Sequence, residues 1–306
     1  AFSETGLYEV LLTVPENFVV AMSGTEIESF PSENGTKTVH YVSGPMRDSL
    51  LVAGPDFGIL TDTVDDIKVN VFYYPGDEAT AQDVLKFSTD TVRIFNETFG
   101  DYPFAELDVA ETFNYTGIEY PGIVVISERN WERGNSFLEI TTAHEVGHQW
   151  FYSVIGNNQV DQPWLDESLT SYSEYVYVRA VHGADEGKEY VDNERTSYRN
   201  YRDVGVDDAV LGLPVSAYPD IYGLIIYTKG PLFFAELERV LGLDVFTQAL
   251  QHYYAQNKYR VVTSADMLNA FEESTGQQLD EIFYEWVGEF PGLDPAVIED
   301  SQTNAQ

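Results

Sequence analysis

One decapeptide limits what this chain can fold into: Thr141-Thr142-Ala143-His144-Glu145-Val146-Gly147-His148-Gln149-Trp150, with Trp164-Leu165-Asp166-Glu167 downstream. Two histidines four residues apart lie one helical turn from each other, so a helix here lets both imidazoles converge on one metal ion. Glu145, beside the first histidine, then stands where a carboxylate can take a proton from an attacking water. Glu167 follows His148 after eighteen intervening residues and can return on a second helix as the third ligand. Three protein ligands leave a zinc ion one open position, which marks a catalytic site and not a closed structural one. With five histidines in 306 residues, composition alone places H-E-x-x-H in roughly one such chain in a hundred.

Charge narrows the partners. The chain carries 51 acidic and 16 basic residues, a formal net charge of -35, which repels nucleic acid and anionic membrane surfaces and attracts metal ions and peptide amino termini. Such a surface favours a secreted or cell-surface-associated location over a cytoplasmic one, with salt adaptation as the other explanation. The absence of cysteine excludes disulfides and thiolate metal ligands. No apolar run approaches the length of a membrane span. The first residues, Ala1-Phe2-Ser3, lack a methionine and a signal-like region, as expected of a processed or excised polypeptide. Nothing in the sequence fixes an oligomeric state.

Punctuation by Pro, Gly, Asn, Asp and Ser divides the opening residues into strands over 7–14, 18–22, 36–42, 49–53 and 67–74, an antiparallel β module. In the last of these Ile67, Val69, Val71 and Tyr73 alternate with Lys68 and Asn70, which are expected to point outward. A helix follows over 78–99 with Val84, Phe87, Thr91, Ile94, Phe95 and Phe99 along one side. Strands are expected over 107–111 and 123–127, and the metal-site helices over 136–155 and 163–182 with Gly156-Asn157-Asn158 as the turn between them. Residues 183–217 are polar and weakly periodic and receive no chemistry. Helices are then expected over 221–241, 245–256, 264–274 with Ser264 as N-cap, and 279–287. The pattern is an α+β fold, β-rich over 1–65, mixed then mostly helical over 66–292, with a polar tail over 293–306.

Three motifs in one order carry a family likeness: Gly117-Ile118-Glu119-Tyr120-Pro121-Gly122, the histidine motif with Glu167, and Tyr227-Thr228-Lys229-Gly230. Together they resemble the zinc aminopeptidases of the aminopeptidase N type, gluzincins with a thermolysin-like catalytic domain. The thermolysin group itself places its glutamate one residue further on. The likeness runs from about residue 65 to 290, and the strands before it look like the latter part of that family's N-terminal β domain. The chain lacks the earlier part of that domain and the large C-terminal helical domain, so it reads as a fragment or a reduced member.

The resemblance implies one zinc ion per chain on His144, His148 and Glu167, Glu145 as general base, and peptide substrates. It implies that Gly117, Ile118 and Glu119 bind substrate, Glu119 holding the free α-amine while nearby backbone pairs with the peptide. Ile118 stands for the family's methionine and Tyr120 for its asparagine. Tyr227 matches the tyrosine that steadies the oxyanion, and Tyr222 is placed near the same cleft. Glu174, two turns after Glu167, is a candidate to accept the second ring N–H of a zinc histidine, or an ordinary exposed acid. Ser168 replaces the glycine usual beside the third ligand. His40, His182 and His252 have no partner at ligand spacing and are read as incidental. Two other readings remain: a zinc endopeptidase with an open cleft, and a non-catalytic peptide-binding relic.

Overall fold

The computed structural model describes residues 2–113 and 117–297, so the end of the polar tail lies outside the described residues. The chain packs as two compact units, residues 3–97 with 101–154, and residues 155–297 with Phe2 and 98–100.

The unit that opens the chain is built on strands. β1 (Glu9–Pro15), β4 (Thr36–Val42) and β3 (Thr25–Pro31) form one antiparallel sheet in the order β1-β4-β3, and β2 (Val19–Met22) pairs with β5 (Leu51–Gly54). β6 (Gly58–Val64), β7 (Ile67–Tyr73), β8 (Glu106–Thr112), β9 (Gly117–Tyr120) and β10 (Ile123–Ser127) make a five-stranded sheet ordered β6-β7-β8-β10-β9. Its three middle strands are parallel and its two edges antiparallel. Because β6 pairs with β7, backbone hydrogen bonds cross residue 65. Sequence expectation omitted β3, β6 and β9, the last falling between the strands expected over 107–111 and 123–127. β3 is exposed along nearly its whole length, and the Thr61-Asp62-Thr63 run of β6 presents no apolar alternation.

A parallel pair needs a crossover, supplied between β7 and β8 by α1 (Glu78–Phe99), as expected. Ala81, Val84, Val92, Phe95 and Phe99 are fully buried along it, each such side chain contributing roughly 1.5–3 kcal/mol where it is large. Ser88 and Thr91 are also buried and return their hydroxyls to the carbonyls of Val84 and Phe87 at 2.8 and 2.7 Å. On a second cluster Phe72, Ala110, Ile123 and Val125 pack with Ala21 and receive Ile118 and Tyr120 from β9.

One expectation for β7 is overturned. Lys68 is exposed, but Asn70 is 3% exposed. Its amide donates to Asp108 Oδ1 at 2.9 Å and its carbonyl accepts from Thr61 Oγ1 at 2.8 Å. A strand inside a mixed sheet has both faces covered, so alternation no longer separates inside from outside.

The second unit is mostly helical. α2 (Ser136–Gly147) belongs to the first unit, and after it come the short strand β11 (Gly156–Asn157), a 3-10 turn at Pro163–Leu165, α3 (Glu167–Val181) and α4 (Ala184–Asp203). A π-helical turn at Gly223–Lys229 runs into α5 (Gly230–Leu241), followed by α6 (Leu243–Asn257), β12 (Val261–Val262), α7 (Ser264–Thr275) and α8 (Asp280–Val287). Gly156-Asn157 is therefore a strand paired with β12 and not a simple turn. Its aromatic core gathers Trp164, Tyr172, Phe233, Phe234 and Phe283.

Residues 184–203, which sequence periodicity left unassigned, form a twenty-residue helix. Its inward side carries no aliphatic stripe, only Val191 and tyrosines, and Gly187 lets it approach α3 so closely that an added Cβ would lie 2.7 Å from Arg179 Cβ. The cap of α7 lies one residue earlier than expected: Thr263 and Asp266 form a reciprocal capping box, with Ser264 inside the helix. Among the described residues no helix is long and apolar enough to cross a membrane.

Candidate metal centre and catalytic groups

In the first unit α2 is capped by Asn135, whose side chain accepts the Phe137 N–H, and ends at Gly147 with His148 as its C-cap. The helix expected to reach residue 155 stops here. Ser153 N–H turns back to the His148 carbonyl at 2.9 Å, and Tyr152 has φ of 153°, a backbone conformation no helix can contain. His144 in the last turn and His148 at the cap still share a face. Their Nε2 atoms are 3.1 Å apart and their rings 4.8 Å apart at 80°.

His148 is 1% exposed and its Nδ1 lies 3.0 Å from the Phe151 carbonyl. A carbonyl only accepts, so Nδ1 carries the proton and the lone pair of the neutral ring sits on Nε2, facing His144. Two ring nitrogens so close repel unless a proton or a cation lies between them. This donor set, two imidazoles with the tautomer of one fixed from behind, fits a zinc ion.

Glu145 is 7% exposed, and the reason for a glycine at 117 is its carboxylate: a Cβ there would lie 2.0 Å from Glu145 Oε1. Glu119 comes to the same place from β9, one of its oxygens, one oxygen of Glu145 and a ring nitrogen of His148 all lying within 4.8 Å of one another. Ile118, between them, points to the opposite face of the sheet and packs in the apolar cluster, so it supports the strand and does not join this group.

Gln149 was missed by sequence reasoning. Its carbonyl accepts the Gly122 N–H at 2.8 Å and its amide donates to the Tyr120 carbonyl at 2.9 Å, bracing the β9–β10 turn from the residue after His148. Its only signal was that adjacency.

In the second unit Glu167 opens α3. Asp166, 1% exposed, accepts the Glu167 N–H at 2.8 Å and the Asn157 amide at 3.2 Å, so the residue before the expected ligand is its helix cap. Tyr227 hydrogen-bonds Glu167 and stands on the π-helical turn, a local widening that re-aims side chains. Desolvation, then the Glu167 and Tyr222 charges, push its hydroxyl above the ordinary tyrosine range. Tyr222 hydrogen-bonds Tyr227, their rings 5.8 Å apart.

The neighbours of Tyr227 are anchored too. Thr228 hydrogen-bonds Glu194, and Lys229, 8% exposed, donates to Asp208 Oδ1 at 2.9 Å and to the Ala209 carbonyl at 2.7 Å. Glu174 accepts the Tyr190 hydroxyl. Of the remaining histidines, His40 meets Glu9 at 3.0 Å and His252 meets Glu273 at 3.5 Å, both surface pairs.

The peptidase family M1 domain matches residues 84–286. Curated relatives include the puromycin-sensitive aminopeptidase of Caenorhabditis elegans, 26% identical over 94% of this chain and 32% of its own length. Aminopeptidase 2 of Candida albicans is 21% identical over 91% of this chain and 32% of its own. The chain thus spans about a third of the length of these relatives. A variant of an M1 zinc metallopeptidase from Deinococcus radiodurans superposes with a TM-score of 0.76 at 20% identity, over 96% of this chain and 67% of that one.

Proposed function

This chain belongs to the peptidase M1 family, and from that premise we propose that it is a zinc-dependent aminopeptidase, hydrolysing the first peptide bond of peptides with a free amino terminus. The observation that carries this reading is the convergence of Glu119, Glu145 and His148 within 4.8 Å. The α-nitrogen and carbonyl carbon of one residue are two bonds apart, about 2.5 Å. An amine held by Glu119 therefore brings the first carbonyl, and no later one, to Glu145.

The residues divide the work as follows. β9 is an edge strand, and its free side is proposed to pair with the substrate backbone. Glu119 accepts hydrogen bonds from the α-ammonium group. Glu145 takes the proton of the attacking water and returns it to the leaving amine. Tyr227 donates its hydroxyl to the oxyanion, a contribution of roughly 3 kcal/mol to the barrier. His144, His148 and Glu167 would hold one zinc ion per chain, which would supply Lewis acidity at the carbonyl and the water. His148 already commits its second nitrogen to Phe151, so Glu174 is proposed to serve His144.

The test compares an aminoacyl-aminocoumarin with its N-acetylated counterpart, with and without chelator, at measured zinc content. The free-amine substrate is expected to turn over and the blocked one to fail, with both silent after chelation. Equal rates on the two substrates defeat the amine-anchored reading and favour an endopeptidase.

A further inference from the structure

Basic residues are scarce here, 16 against 51 acids, yet three of the ten arginines fall at 195, 199 and 202 on α4. The spacing i, i+4, i+7 puts them on one helix face. With Tyr198, Glu236 and Trp286 they line a cavity of 320 Å³ in the second unit. None of these residues belongs to the catalytic groups above.

Three acids beside these arginines, Glu236, Asp192 and Asp208, are already matched. Both carboxylate oxygens of Glu236 are taken by Arg239, at 2.8 and 2.6 Å. Asp192 takes Lys188 and, at 3.2 Å, Arg195. Asp208 takes Lys229 at 2.9 Å and the Tyr198 hydroxyl. Among the side chains that line the cavity, the charge left over is positive. Arg202 donates to the uncharged carbonyl of Val206, and Arg199, exposed, has no ion pair among the described residues. A chain this depleted in basic residues thus concentrates two unmatched guanidinium groups in one recess walled by aromatic rings.

We propose that this cavity binds a small oxyanion ligand, a phosphate or carboxylate group gripped by the forks of Arg199 and Arg202, with Trp286 against its organic part. Planar guanidinium forks match two-oxygen acceptors, which is why arginine and not lysine is found at such sites. The volume of 320 Å³ equals roughly ten waters at about 30 Å³ each, room for the anion with a small organic group attached. The net charge of -35 opposes anions at long range, but screening over about 8 Å at physiological ionic strength leaves the local pair in control. The same field rejects extended polyanions, whose further charges would meet the acidic surface outside the recess.

The test is calorimetric titration of the full zinc-loaded chain with inorganic phosphate and, in a second arm, with succinate, at constant ionic strength set by sodium chloride. Saturable binding of at least one anion is expected, weakened roughly tenfold or more by the Arg199→Gln and Arg202→Gln pair and unaffected by Arg133→Gln. Phosphate alone identifies a phosphate ester as the ligand class, succinate alone a carboxylate, and binding of both a general oxyanion site. Trp131, Trp150 and Trp164 are buried and Trp286 is half-buried, so an accompanying fluorescence change should vanish in Trp286→Phe. If the double variant unfolds at a lower temperature than the parent, Arg199→Gln alone carries the comparison. Absence of saturable binding, or binding undiminished in the arginine variants because the anion sits at the metal centre, overturns the proposal.

Discussion

Ser168 Oγ donates a 2.7 Å hydrogen bond to the carbonyl oxygen of Ile226, tying the residue after Glu167 to the residue before Tyr227. The need for this donor follows from the π-helical register. Gly230 N–H bonds the Ile225 carbonyl five residues back, and the next position in that register, Pro231, has no N–H to offer Ile226. The serine hydroxyl supplies it. A glycine at 168 would leave that oxygen without this donor.

Ser168→Ala is therefore expected to lower stability by about 1–3 kcal/mol, the cost of a buried acceptor losing its donor, and to lower kcat more than it raises KM. Gly230→Ala should be worse, because its Cβ would lie 2.0 Å from Ser168 Oγ and 2.3 Å from Ser168 Cβ. Ser168→Gly should recover part of that loss. Urea unfolding of the two single variants and the double variant gives the coupling, and strictly additive effects would show the two sites to be independent.

Gly117→Ala tests the seating of the general base. The obstacle to a Cβ is the end of the Glu145 side chain, 2.0 Å away at Oε1, which can swing aside, so folding should survive. The carboxylate cannot move without leaving its place, and a displacement near 1 Å costs on the order of a hundredfold in rate. Glu145→Gln should cost about 10²–10⁴-fold. Both variants are expected to retain zinc by elemental analysis. Parent-like turnover in Gly117→Ala would remove Glu145 from its proposed position.

The histidine motif was legible because its information is local: four residues, one helical turn, one face. The same holds for α1, whose apolar spacing and preceding Pro75-Gly76 mark both its face and its start. What escaped depends on partners distant in sequence. Asn70 is buried because Asp108, thirty-eight residues on, accepts its amide. Ser168 finds its acceptor, the Ile226 carbonyl, only fifty-eight residues on in the turn before Tyr227. α4 hid behind tyrosines, which serve equally as surface and core, and the π-helical turn has no periodicity of its own to detect.

Tyr227→Phe removes the proposed oxyanion donor and leaves the ring. Turnover of the free-amine substrate is expected to fall roughly 10²–10³-fold with little change in KM, since the interaction forms only in the transition state. Tyr222→Phe, one hydrogen bond further away, should cost less. A larger effect at Tyr222 than at Tyr227 would reverse their assignment.

Asp108 predicts how stability depends on pH. Burial, with the Glu106 charge as a lesser cause, pushes its carboxyl up from 3.8 to about 8, against the lowering effects of the Asn70 amide, the Met22 N–H and Lys68. Below about pH 4 both folded and unfolded states hold the proton, and the group contributes no pH dependence. Between 4 and 8 the unfolded chain releases the proton that the folded chain keeps, so stability falls with rising pH by up to about 1.4 kcal/mol per unit. Above 8 the loss is constant. In Asp108→Asn the amide must set its N–H₂ against either the Met22 N–H or the Asn70 amide, which donate at 3.1 and 2.9 Å, an offset of about 1–3 kcal/mol at all pH. The variant should therefore be less stable than the parent at pH 5, with the difference shrinking or reversing by pH 8. Urea unfolding of both proteins at saturating zinc across that range measures the slope. Parallel curves would mean that Asp108 is ionised in the folded protein, with Asn70 and Met22 outweighing its burial.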